Sequence, residues 1–128
     1  MLLANEYLTS YYSEDRRALQ LSKYYLSKWG KIEKNASKLN KNDKKVAYIL
    51  YSTLNKMAED ERKFLANKYR VMIYGKSAKP DKELAEVYDM DLLEYRNLRK
   101  GIEYKFYYYL KPSIQKRKKV KGIKFKFG

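Results

Sequence analysis

The chain has 128 residues, 30 Lys and Arg against 15 Asp and Glu, a formal net charge of +15, and neither cysteine nor histidine. This length suits one domain of ordinary size, and the missing residue types exclude disulfides, thiolate or imidazole metal sites, Cys nucleophiles and His general bases. So large a surplus opposes compaction by self-repulsion and calls for an anionic partner: nucleic acid first, an acidic membrane surface second, an acidic protein third.

Five Gly and two Pro are few for this length, which predicts long helices. Leu3, Tyr7, Leu8 and Tyr11 have the spacing of a short opening helix. Asp15 then stands at a helix start, Leu19, Ser22, Tyr25, Leu26 and Trp29 continue a 3.6-residue stripe, and Gly30 is the expected stop. Lys31 to Asn42, polar and lysine-rich, reads as a connection with at most a helical turn. Asp43 is the expected N-cap of the clearest helix, whose apolar face is Val46, Ile49, Leu50, Thr53, Leu54 and Met57.

Glu59, Asp60 and Glu61 place three carboxylates where a helix N-terminus offers partial positive charge, so a new helix is predicted there, burying Phe64, Leu65, Tyr69 and Met72. Gly75 to Pro80 reads as a loop. Asp81 is the expected cap of a short helix carrying Leu84, Ala85 and Tyr88. With Asp91 as the next N-cap, Glu94 falls at the third helical position of a capping box, and Met90 and Tyr95 are spaced as a hydrophobic staple. That helix should run through Leu98, Ile102 and Phe106 to about Leu110, ended by Pro112. The tail from Lys111 to Gly128 carries eight Lys and Arg and no acid, and Ile123 to Phe127 alternates like a strand.

A helix-turn-helix needs a small residue midway along its first helix, where the two helices cross closely. Ala85 supplies it, Asp89 takes the turn position, and Met90, Tyr95 and Leu98 fill the apolar places beyond. The outward face then carries Leu92, Leu93, Arg96, Asn97 and Lys100. Arg can donate two bonds to guanine, Asn can pair with adenine and Leu can touch a thymine methyl, so Leu92, Leu93, Arg96 and Asn97 are the expected base readers. Arg99, Lys100, Lys105 and the tail, including Lys116, Arg117, Lys118 and Lys119, are the expected phosphate contacts. Tyr107 to Tyr109 are read as packing or interface residues, as are Tyr24, Tyr25 and Trp29.

Residues 59 to 110, with Glu59 to Leu65, Lys68-Tyr69, Glu83 to Val87 and Arg96 to Lys100, resemble the region-four helix-turn-helix of bacterial sigma factors. The whole arrangement resembles the small phage and prophage late-gene transcriptional regulators of the ArpU/RinA type. That resemblance implies an activator that binds promoter DNA. The expectation is an all-α chain of five or six helices. Residues 1–58 form a helical region for dimerisation or RNA polymerase contact, 59–111 the DNA-binding region and 112–128 a basic tail. Double-stranded DNA is the expected partner, with RNA polymerase and a homodimer as further ones. No cofactor, no enzymatic activity and no membrane partner are expected. The opening residues lack the pattern of a signal peptide, so the expected location is cytoplasmic. Two alternatives stand beside this reading: a DNA-packaging component resembling a phage terminase small subunit, and a basic phage-encoded inhibitor protein.

Overall fold

Apolar residues at helical spacing build an all-α protein in the computed structural model, which describes residues 16–127 and, for side chains, residues 16–114. Among the described residues the order is α1 (Arg16–Leu26), α2 (Trp29–Lys34), a 3₁₀ turn (Ala36–Lys38), α3 (Lys41–Leu54), α4 (Glu59–Tyr69), α5 (Asp81–Val87) and α6 (Leu92–Phe127). The expected opening helix over Leu3 to Tyr11 and the start at Asp15 lie outside the described residues.

The long helix α6 is the organising element: α1, α3, α4 and α5 all pack on it. Tyr95, Leu98, Ile102, Phe106 and Leu110 recur every three or four residues along α6 and are fully or almost fully buried. Leu26, Leu50, Leu54, Phe64, Leu65 and Leu84 meet them in one continuous core. Burial of such side chains stabilises by roughly 1.5–3 kcal/mol each. The stripe Val46, Ile49, Leu50, Thr53, Leu54 and Met57 is buried throughout, as its spacing predicts. Thr53 remains satisfied in the core because its hydroxyl donates to the Ile49 carbonyl at 2.8 Å. No helix among the described residues is long and apolar enough to cross a membrane.

Five local expectations are corrected. Gly30 does not end a helix; it lies buried inside α2, where an added Cβ would sit 2.1 Å from the Arg70 carbonyl oxygen. Its missing side chain serves close packing of α2 on the end of α4 rather than a turn. Asp43 is not the cap of α3: Asn40 is, accepting from the Asp43 N–H at 2.8 Å, and most of the stretch read as a connection is α2 and the 3₁₀ turn.

Pro112 does not end α6, which continues through it. The ring removes the hydrogen bond that residue 112 would donate to the Tyr108 carbonyl. Tyr108 is 63 % exposed and Pro112 is exposed too, so the break in the hydrogen-bond ladder falls on the solvent side of the helix rather than in the core. The segment Ile123 to Phe127 is helix rather than strand, because a helix satisfies its own backbone whereas a lone strand would need a partner.

Candidate nucleic-acid interface

The segment 81–100 forms two helices joined by a tight turn, and its hydrogen bonds are those of a Schellman motif. Asp89 takes a left-handed backbone, φ 53°, the Met90 N–H donates to the Ala85 carbonyl at 2.8 Å, and the Asp89 N–H donates to the Glu86 carbonyl at 3.1 Å. Glycine is the usual occupant of such a position; Asp is among the few other residues that tolerate it. Ala85 is buried beneath the turn, and Met90 and Tyr95 both join the core. An aromatic cluster fixes this hairpin on α4: Phe64 lies 5.2 Å from Tyr88 and 5.4 Å from Tyr95, ring centre to ring centre.

Burial sorts the expected DNA contacts. Leu93, Arg96, Asn97 and Lys100, spaced three and four apart, form one stripe along the first turns of α6 in which Asn97 is half-buried and the others are exposed. Leu93 is 65 % exposed. Leu92, half-buried like Asn97, packs against the core beside this stripe.

Arg99 and Lys105 are corrected. Arg99 is buried: its Nη1 donates to Glu103 Oε1 at 3.0 Å, and its Nε lies 3.0 Å from Asp81 Oδ1 as an ion-pair contact without an aligned hydrogen bond. Lys105 Nζ donates to Glu61 Oε2 at 2.7 Å. Both cations compensate buried carboxylates, Glu103 for Arg99 and Glu61 for Lys105, so reaching phosphate would cost each of them an internal ion pair. Lys116, Arg117, Lys118 and Lys119 lie on the α6 backbone, with their side chains outside the described residues.

Asp81 is the hub of this network. It stands at the first position of α5 behind Pro80, not at the cap, and accepts from Lys68 Nζ at 2.8 Å while Arg96 Nε approaches its other oxygen at 3.4 Å. Burial alone would raise its carboxyl pKa. The Lys68 hydrogen bond and the Arg99 guanidinium outweigh burial and hold it below the ordinary value. Arg99 shows the reciprocal effect: desolvation disfavours its charge, but Glu103 and Asp81 together push its pKa up. The Tyr69 hydroxyl donates to Glu103 Oε2, and burial followed by the Glu103 charge pushes that phenol well up. Lys68 also donates to the Lys79 carbonyl at 2.7 Å, tying the loop after α4 to the same hub.

The net positive charge is unevenly distributed along the chain. Residues 81–105 hold seven Asp and Glu against five Lys and Arg, so the hairpin is net acidic. Residues 16–58 hold eleven Lys and Arg against two Asp and Glu. One of those two, Glu33, is exposed but already engaged: it accepts from Trp29 Nε1 at 3.1 Å, from the Tyr51 hydroxyl at 3.3 Å and from Arg70 Nη2 at 2.5 Å. Burial and then Glu33 push the Tyr51 phenol up to about 12.

Within this cationic region lies a concavity of about 190 Å³ lined by Lys28, Lys31, Ile32, Asn35, Lys38, Leu39 and Asp43. Sequence reasoning passed over it because most of it falls in the stretch read as a connection. The available signal was the spacing of Lys28, Lys31, Ile32 and Asn35, which puts them on one helical face. No group of carboxylates that could hold a metal ion occurs among the described residues. The chain matches no protein-family model, no curated protein sequence and no solved structure.

Proposed function

We propose that the protein binds duplex DNA and regulates transcription, with the first turns of α6 entering the major groove. The observation that carries this reading is the outward stripe of Leu93, Arg96, Asn97 and Lys100 above a helix pair closed by the Asp89 turn. In that pose Arg96 and Asn97 meet base edges, Leu93 offers apolar contact to a thymine methyl, and Lys100 reaches a phosphate. Arg96 needs little freeing for this role, since its contact with Asp81 is long and half-exposed. The resemblance to late-gene regulators extends the proposal to activation of transcription, with RNA polymerase as a further partner.

The acidic balance of the hairpin favours a second reading. There the cationic N-terminal half does the binding, through charge alone, and the partner is an acidic protein that this chain blocks.

Selection of bound duplexes from a random library at near-physiological salt separates the two. The first reading expects an enriched motif whose preference is lost in the Arg96→Ala, Asn97→Ala double variant. Absence of any enriched motif, with binding that collapses as salt rises, overturns it and favours the second.

A further inference from the structure

The concavity between α2, the 3₁₀ turn and the start of α3 has a floor of Ile32 and Leu39 and a rim bearing three ammonium groups. Among the described residues none of Lys28, Lys31 and Lys38 makes an ion pair with a carboxylate. The neighbouring Glu33 is spent on Trp29, Tyr51 and Arg70, which leaves Asp43 as the one acid of the lining. Lys28 is steadied by its position 4.7 Å from the centre of the Tyr24 ring. Asn35 is held too, its side-chain amide donating to the Lys31 carbonyl at 3.0 Å. Three cations against one carboxylate around an open hollow leave it a net positive lining.

We infer that this lysine-lined hollow seats the phosphodiester backbone of nucleic acid, and that it supplies phosphate contacts which Arg99 and Lys105 could make only by giving up internal ion pairs. The inference rests on the DNA-binding reading and adds a second contact surface to it, away from the α6 stripe in sequence. Phosphate oxygens take the three ammonium groups as point charges, while Ile32 and Leu39 keep the floor dry and the lysine stems extended. A seat of this kind contributes affinity without reading sequence.

The test compares two triple variants of equal net charge in binding a fixed 20-base-pair duplex across a salt series. Lys28→Gln, Lys31→Gln, Lys38→Gln removes the rim; Lys56→Gln, Lys63→Gln, Lys76→Gln removes three lysines outside it. Each neutralised phosphate contact contributes about 0.9 to the slope of log affinity against log salt. The rim variant should therefore flatten that slope by about 2 to 3, with at least tenfold weaker binding at near-physiological salt. The control should change it by less than about 1. Equal effects of the two triples overturn the inference.

Methyl resonances distinguish its failure from that of the wider reading. On adding the duplex, shifts at both Ile32 and Leu93 support both surfaces. Shifts at Ile32 alone keep the seat and overturn the α6 stripe; shifts at Leu93 alone do the reverse. No shift at either overturns both.

Discussion

Arg99 of α6 and Asp81 of α5 lie 3.0 Å apart, nitrogen to oxygen, and this ion pair joins the two helices of the hairpin from the inside. An arginine two positions from a proposed groove-facing asparagine is thus a structural cation. Arg99 is 7 % exposed and Arg96, three residues earlier, is exposed. The two should therefore separate cleanly by mutation. Arg99→Ala leaves the buried Glu103 carboxylate with the Tyr69 hydroxyl but no cation, and takes one of three cations from Asp81, so it should cost about 3–5 kcal/mol of stability. Arg96→Ala should cost less than about 1 kcal/mol and instead alter DNA selectivity. Urea unfolding of both variants, beside binding by the folded protein, measures the difference.

Acid should weaken the same hub. The folded-state pKa of Asp81 is held below its ordinary value of 3.8, so its stabilisation is full above that value and is lost as pH falls through the folded one. Asp81→Asn should lower stability by about 2–3 kcal/mol at pH 7, through loss of charged hydrogen bonds to Lys68 and contact with Arg99. The gap between wild type and variant should narrow below about pH 4, which denaturant midpoints across a pH series would reveal. A gap independent of pH would place the stabilisation elsewhere.

At Gly30 the close approach of the Arg70 carbonyl leaves no room for a methyl group. Gly30→Ala should destabilise by about 1–3 kcal/mol, although alanine is the better helix former. A thermal melt of the variant checks the sign: a raised midpoint would mean that α2 does not sit against the end of α4.

The Asp89 turn makes the opposite prediction for adding a glycine. Asp89→Gly relieves a left-handed φ and should raise stability by about 0.5–1 kcal/mol, whereas Asp89→Val should lower it by about 1–2 kcal/mol. If the two variants melt alike, the turn does not hold the conformation that aims α6.

Sequence by itself determined the helical class, the buried face of α3, Phe64, Leu65 and Tyr69 on α4 (Met72 lies beyond that helix and is half-buried), the boundary at Glu59 and the hairpin with its turn at Asp89. Each of these depends on adjacent residues or on neighbours three or four apart, which a sequence displays directly. Spacing also drew the outward stripe of Leu93, Arg96, Asn97 and Lys100. What spacing left open was the destination of each charge. Arg99 and Lys105 read as ligand contacts until Asp81, Glu103 and Glu61 came within reach across the fold, because an ion pair depends on distance in space and the desolvation of both partners. Gly30 has the same lesson in steric form, since its partner Arg70 is forty residues away in sequence. Pro112 completes it: α6 passes through a residue that ends most helices, at a position that packing leaves on the exposed side of the helix.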